Sequence, residues 1–499
     1  MKIGCVYSIG SFLGSKKPLP SGVHIHFGIA TIITVLEQQG HDVELFVVAP
    51  ETDLEHTISK YVHEQDPKLF LYTAVTTQYW LVTKVAKHVK LLGNGIFQVL
   101  GGHHASLDSD AVIQDGVFDA ICVGEGESAM IDLADNIESG NARFKPINNI
   151  WYYDKENNSV IKNNTAGFIQ ELDELPYINR KIWDKFMDKP NLSPSILLGR
   201  GCPFKCAYCS NHAMARLSEG EYVRFRSPEH IVGEIDKILS EYDDVEAIYL
   251  EVETFGANRK ASFRIFDKLA EYNSQLAKPI KFGANLALTS NYMRNEERCH
   301  ELLSKAKVAT LVTFNVGLES GSERMRRDVL NRPKYTNDEL VRFCQLAGEY
   351  EINVIFFVLI GLPGEALEDY LETVKTARKA QPDTCEVNIY YPYLGTDLAA
   401  KAISLGLVHP QDLVTKDYST AERSRAVLNL EGFSARRIRL EYILFWFRVY
   451  SGHWSMIKLI WHTLRSFLMA YPKTYSRLFA IRDIVPGLSY YRKKNRNVL

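Results

Sequence analysis

A chain of 499 residues is enough for roughly three domains. Its 46% hydrophobic and 24% charged residues are an ordinary globular mixture, which excludes a disordered or collagen-like chain. A net charge of −2 gives no signature of a general polyanion binder, so no nucleic-acid partner is expected. No run of about 18 apolar residues occurs, and no spanning helix is predicted. The N-terminal MKIGCVYSIG is too short in its apolar part for a signal peptide and reads as a first strand. Of eight cysteines, Cys5, Cys122, Cys299, Cys344 and Cys385 stand alone in sequence, as reduced core residues do, so a cytoplasmic location is expected.

Residues 1–140 alternate strand and helix. KIGCVYS, DVELFVV, LFLYTAV, FQVLGG and FDAICVG are short apolar runs of the kind that make buried parallel strands. Helices fit FGIATIITVLEQQG, stopped by Gly40, then WLVTKVAKHVKLLG and SAMIDLADNIESG. The expected unit is a doubly wound, Rossmann-like sheet, which binds ligands at the carboxyl ends of its strands. Those ends carry Thr76 and Thr77, then Gly101, Gly102, His103 and His104, then Gly124, Glu125, Gly126 and Glu127. The first strand–helix connection, YSIGSFLGSKKP, is a long loop rather than the tight Gly-x-Gly-x-x-Gly turn, which argues against a dinucleotide. Residues 141–194 read as a polar connector with a hairpin around WYYDKENNSVIK and no evident chemistry.

Residues 195–400 hold six apolar strands, SILLGRG, VEAIYLEV, IKFGANLAL, ATLVTFNVG, INVIFFVLIG and CEVNIYYPY, with helical stretches between them. Six such units predict a partial (β/α)6 barrel with its chemistry on the loops after the strands. After the first strand comes LLGRGCPFKCAYCSNH, which places Cys202, Cys206 and Cys209 in Cys-x3-Cys-x2-Cys spacing. Three thiolates without a fourth leave one iron of a cubane cluster open to another ligand. The alternative is a zinc knuckle with His212 as fourth ligand in a non-catalytic interaction protein. Glu251 and Glu253 end the second strand, Asn285 the third, and GLESGSERMRRDVLNR and LIGLPGE follow the fourth and fifth. Residues 401–499 are read as a helical, basic region: from Glu431 onward there are 13 Lys and Arg against 3 Asp and Glu. Its LEYILFWFRVYSGHWSMIKLIWHTLRSFLMAYP carries apolar residues at helical spacing. A cap on the barrel, a membrane-surface helix and a cover for an apolar substrate are the three readings, and RKKNR reads as a solvated end.

The cysteine spacing, with Tyr208 just before the third cysteine, resembles the signature of the radical S-adenosylmethionine (radical SAM) superfamily. LGGHHAS and VGEGE resemble the cobalamin-binding domain that precedes the barrel in one large class of that superfamily, its class B methyltransferases. The resemblance implies a 4Fe-4S cluster on Cys202, Cys206 and Cys209, and S-adenosyl-L-methionine packed by Tyr208 and Asn285. It implies ribose binding by Glu319, head-group binding by Ser320, and backbone contacts to adenine from Gly361, Leu362, Pro363 and Gly364. Cobalamin would lie against Thr76, Thr77, Gly101, Gly102, His103, Gly124, Glu125, Gly126 and Glu127. The Asp-x-His-x-x-Gly string of domains that ligate cobalt from below is missing, so His24, His26, His103 and His104 are not assigned as cobalt ligands. The altered EVETF leaves Glu251 and Glu253 without an assigned role. The implied activity is methylation of an unactivated carbon through a substrate radical, with a cobalamin-dependent cyclase or rearrangement enzyme as the alternative. The implied partners are a small-molecule or lipid-like substrate and an electron donor such as flavodoxin or ferredoxin. Methylthiotransferases need a second cysteine trio upstream, and only Cys5 and Cys122 precede Cys202. Members with auxiliary clusters need cysteines after the barrel, and none follows Cys385.

Overall fold

The computed structural model describes residues 1–10, 17–93, 95–140, 145–293, 295–415 and 423–471. Part of the first long loop and the RKKNR end lie outside the described residues.

The N-terminal sheet has five parallel strands, β1 (Lys2–Ser8), β2 (Asp42–Val48), β3 (Leu69–Thr73), β4 (Phe97–Gly101) and β5 (Ala120–Cys122), in the spatial order β2-β1-β3-β4-β5. The strands are apolar on both sides because helices cover both faces. On one face, Ile29, Ile33 and Leu36 of α1 (Phe27–Gln38) share a core with Cys5, Leu45 and Leu71. On the other, Val82, Val85 and Val89 of α2 (Tyr79–Leu92) pack with Val6, Phe70 and Tyr72. Neighbouring strand residues therefore feed different cores, as period-two alternation requires. The connection from β1 leads outward to β2 and the next strand returns to the other side of β1. That reversal opens a crevice at the carboxyl ends, where ligands of such sheets bind. The hairpin β6 (Ile150–Asp154) and β7 (Ser159–Lys162) adds two antiparallel strands beyond β5.

The second sheet holds β8 (Ser195–Leu197), β9 (Ala247–Phe255), β10 (Lys281–Leu286), β11 (Leu311–Glu319), β12 (Asn353–Ile360) and β13 (Thr384–Ile389), parallel and in sequence order, with β8 and β13 at its two edges. This is an open, partial barrel. Its helices start where sequence chemistry says they should. Ser227 caps Pro228–Glu241 with proline in the first turn, and Thr336 and Glu339 cap Asn337–Glu349 reciprocally. Two further helices, Ala435–Tyr450 and Met456–Ala470, follow the barrel. Ile438, Phe445 and Val449 join the barrel core, and Tyr370 Oη donates to the Glu441 carbonyl (3.1 Å), so the first of them caps the β13 edge.

Three links fix the two sheets together. Leu19–Ser21 pairs with Met187–Lys189, 168 positions further along the chain. Buried Glu234 holds Arg180 of the connector at 2.6 Å and Arg226 at 2.5 Å. A short antiparallel pair, Gly199–Arg200 with Arg224–Phe225, grows from the end of β8 and meets the carboxyl end of β5.

Candidate functional site

The cysteine run is a loop bracketed by that short antiparallel pair and by the helix Ser210–Met214. Neighbouring backbone staples it in place. Ala207 N donates to Leu330 O (2.9 Å), Leu398 N to Ala207 O (2.8 Å), and Asn331 Nδ2 to Lys205 O (2.8 Å). Burial pushes the Cys202 thiol up to about 12 and the Cys209 thiol up to about 11. Cys206 is also raised by burial, with the Arg332 guanidinium 4.0 Å from its sulfur pulling it back. Such thiols stay protonated until a metal takes them, so cluster loading releases protons. Among the described residues, no three His, Cys, Asp or Glu side chains converge on one ion-sized point. A cubane offers each thiolate its own iron, whereas a single tetrahedral ion needs convergence. The imidazole of His212 instead faces Asp397, Nε2 to Oδ2 3.5 Å.

Beneath the loop, Tyr208 Oη donates to Glu319 Oε1 (3.0 Å) and receives Arg332 Nη1 (3.1 Å). Arg332 also donates to the Gly317 carbonyl (2.6 Å). Glu319 ends β11 in the left-handed region, φ +57°, which turns its side chain under the loop. Burial raises its carboxyl, and Arg332 and Tyr208 oppose the rise. Asn285 is part of a polar network inside the barrel: its Oδ1 accepts from Tyr249 Oη (2.6 Å), which receives Asn315 Nδ2 (2.6 Å). Ser320 is fully buried, its Oγ accepting from Ser322 N (3.2 Å) beside Thr373, so it braces the turn. Gly361 and Gly364 take φ +81° and +75°, and the Gly361 and Leu362 amides both donate to Glu365 Oε2. Pro363 lies in the same turn, and Gly361 abuts Ile438 of the capping helix.

The carboxyl ends of the two sheets line one cleft of about 290 Å³. The N-terminal side supplies Gly101, Gly102, His103, Gly124, Gly126 and Glu127. The barrel side supplies Gly199, Gly201, Asn211, Met214, Tyr222 and Glu253. At two of these positions space or backbone demands a glycine. Gly102 has φ +87°, and a Cβ there would lie 2.6 Å from Thr73 Oγ1. A Cβ on Gly126 would meet Cys122 Sγ at 3.2 Å. Backbone can therefore lie against a large flat ligand. Glu127 Oε2 is buried with no hydrogen-bond partner among the described residues, an acceptor suited to an amide N–H on such a ligand. The donor and acceptor chemistry of this lining suits a corrin edged with amides. Two expected contacts sit elsewhere: Thr76 and Thr77 are buried in a short turn, with Thr76 beside His104, and Thr73, the last residue of β3, lines the cleft instead. Of the four histidines, His26 and His103 line the cleft. His24 faces Ser21, and His104 is buried against the Tyr79 ring at 4.5 Å. His26 Nδ1 accepts from Ile29 N (3.3 Å) as a helix cap, and burial holds the ring neutral, down to about 4.

Glu125 and Glu127 also carry the domain contact. Arg200 reaches Glu125 at 3.1 Å and Glu127 at 2.5 Å, and Arg224 reaches Glu125 at 2.9 Å. Burial favours a neutral Glu125, but Arg224 and Arg200 outweigh it and hold the carboxyl below its ordinary range. Glu253 takes a hydrogen bond from the Asn211 side chain, whose Oδ1 accepts from Tyr222 Oη (2.8 Å), and its charge is felt by Cys202 and Cys209. Burial, and then the charge of Glu253, lifts Glu251 to about 7. Arg332, Asn211, Tyr222, Arg200 and Arg224 were not singled out from sequence. The connector, read there as free of chemistry, supplies Phe168 to the cleft.

Residues 20–134 match the B12 binding domain family, and residues 196–377 match the Radical SAM superfamily. An uncharacterized methyltransferase of Pyrococcus horikoshii is 26% identical over 459 residues, 89% of this chain and 93% of its own length. The anaerobic magnesium-protoporphyrin IX monomethyl ester cyclase of Rubrivivax gelatinosus is 27% identical over 382 residues, 74% of this chain and 65% of the cyclase. Among solved structures, the apo form of the cobalamin-dependent S-adenosylmethionine radical enzyme OxsB superposes with a TM-score of 0.68 at 16% identity, over 94% of this chain and 72% of that one. The radical S-adenosylmethionine methyltransferase TsrM of Kitasatospora setae, with cobalamin and a [4Fe-4S] cluster bound, gives 0.60 at 15% identity, over 81% and 75%. The chain carries a B12-binding domain followed by a radical SAM domain, and it is homologous to cobalamin-dependent radical SAM methyltransferases.

Proposed function

We propose that this cobalamin-dependent radical SAM enzyme methylates an unactivated carbon of a small molecule held in the cleft between its two domains. One observation carries the reading: the strand ends that would cradle the corrin share a cleft with Gly201, Asn211 and Met214, which flank the loop that bears the three cysteines. When bound, the cluster with S-adenosylmethionine supplies hydrogen-atom abstraction, and cobalamin supplies the methyl donor. Cys202, Cys206 and Cys209 would hold the cluster. Glu319, fixed by Tyr208 and Arg332, would accept the ribose hydroxyls, with Asn285 and the turn at Gly361, Pro363 and Gly364 beside it. The strand-end glycines and Glu127 would receive the corrin, and the Glu253–Asn211–Tyr222 chain would face the substrate. Pairing Arg200 and Arg224 with Glu125 and Glu127 keeps the two halves in register and water out of the seam. A flavodoxin or ferredoxin is the proposed electron source.

Anaerobic reconstitution with iron, sulfide and hydroxocobalamin, followed by S-adenosylmethionine and a low-potential reductant, tests the proposal. The expected protein is brown, holds about four irons per chain, retains the corrinoid through gel filtration and forms both 5′-deoxyadenosine and S-adenosylhomocysteine. Formation of 5′-deoxyadenosine without S-adenosylhomocysteine favours the cyclase-type reaction that the Rubrivivax relative performs. Stoichiometric zinc with no iron contradicts the proposal.

A further inference from the structure

The two helices after the barrel have two faces, and packing on the barrel uses only one. In Met456–Ala470 the inner residues Leu459, Ser466 and Ala470 are buried, and His462 stacks within 4.4 Å of the Trp446 ring. This accounts for the helix as a cap. It leaves Met456, Ile457, Ile460, Trp461, Leu464 and Phe467 between 40% and 76% exposed. Ile457, Ile460, Trp461 and Leu464 follow the i, i+3, i+4, i+7 spacing of one helix side. Fifteen large hydrophobic residues are exposed among the described residues, and seven of them fall between Met456 and Tyr471. Single exposed hydrophobics need no explanation, whereas a contiguous stripe marks a docking face.

We propose that this stripe docks the enzyme on an anionic lipid surface. Charge complementarity selects that occupant. The 28 residues that follow Tyr471 carry seven Lys and Arg against one Asp, a surplus of six in a chain whose total is −2. The other 471 residues are therefore net −8. A second copy docked stripe to stripe would set Lys458 and Arg465 of this helix, which carries no acidic residue, against the same two cations. An anionic bilayer attracts the basic segment and accepts the apolar stripe, each cation near the surface adding about 1 kcal/mol. The helix lies along the surface rather than through it: 15 residues span about 22 Å against a hydrocarbon core of about 30 Å. Among the described residues no helix is long and apolar enough to cross a membrane. Trp461 belongs to the residue type that settles at the headgroup level.

The full-length protein is sedimented with phosphatidylcholine vesicles with and without phosphatidylglycerol. Binding is expected only with phosphatidylglycerol, is weakened by salt, and falls about tenfold or more in the Ile460→Asp plus Leu464→Asp variant. Trp461 fluorescence in the unsubstituted protein shifts to the blue on the same vesicles and is quenched by brominated lipid. Both substituted side chains are exposed, so thermal unfolding of the variant matches that of the parent; should it not, Ile457→Ser serves in its place. A parent protein that stays in the supernatant at low salt overturns the proposal. So does a variant that binds as well as the parent. A parent that is a dimer without lipid binding, and becomes monomeric in the variant, assigns the stripe to a second copy and likewise overturns it.

Discussion

Tyr208, Glu319 and Arg332 form a tightly joined trio under the cysteine loop, and each has a distinct task. Arg332 anchors the trio to the Gly317 carbonyl and sits 4.0 Å from the Cys206 sulfur, where it favours thiolate. Glu319→Ala is expected to weaken S-adenosylmethionine binding by about 1.5–3 kcal/mol, the value of a hydrogen bond to a charged group, while iron content stays unchanged. Isothermal titration on the reconstituted protein reads this, and an unchanged affinity would return Glu319 to a structural role. Alanine at Cys202, Cys206 or Cys209 should abolish iron binding, whereas Cys299→Ala and Cys385→Ala, in the barrel core, and Cys344→Ala should retain it. Iron loss from one of the last three, with fold intact, contradicts the ligand set. Glu251 gives a pH signature. Its folded value of about 7 lies above the ordinary 4.5, because burial and Glu253 disfavour its charge. The folded chain therefore keeps a proton that the unfolded chain has released. This contribution to stability is full below about pH 4.5, falls as pH rises toward 7, and is gone above it. The melting temperature of the metal-free protein should fall across that window, and Glu251→Gln, neutral throughout, should flatten the slope. An identical slope in the variant would rule Glu251 out as its source.

At the scale of elements, much of the fold was legible because its strands are buried on both faces and its helices carry their own caps. KIGCVYS and DVELFVV are strands to the residue, and each of the six barrel strands lies where its apolar run stands. The helix Gly102–Leu107 was not legible. It opens on a glycine pair that reads as a turn, and nothing local tells that a Cβ at Gly102 would lie 2.6 Å from Thr73 Oγ1. Contacts between domains were equally hidden. Arg200 and Arg224 lie 24 residues apart, and nothing local says that both reach Glu125. The same holds for Arg180 and Arg226, which share buried Glu234 on the helix Pro228–Glu241. Glu234→Ala should destabilise the protein by about 3–5 kcal/mol, because it leaves two buried guanidinium groups without their counter-charge. Chemical denaturation measures the loss, and a change under about 1 kcal/mol would mean that water reaches the pair.

On the scale of the whole molecule, neither half of the cleft is a site alone. The N-terminal sheet brings glycines and one unpartnered carboxylate oxygen, and the barrel brings Glu253 with Gly201, Asn211 and Met214 beside the cysteine loop, to one cleft of about 290 Å³. That opposition would bring two cofactors to one reaction, and sequence could not reveal it, because it depends on how two separately legible folds are held together. The missing Asp-x-His-x-x-Gly, the capping role of His26 and the buried position of His104 predict a corrin with no protein nitrogen below its cobalt. Nitrogen hyperfine coupling that disappears in His103→Ala would contradict this. The most direct test of the shared cleft is electron paramagnetic resonance of the doubly loaded protein, with cob(II)alamin and the reduced cluster present together. Mutual broadening or splitting of the two signals is expected, lost when either cofactor is omitted. Two unperturbed signals that simply add would place the cofactors in separate sites and contradict it.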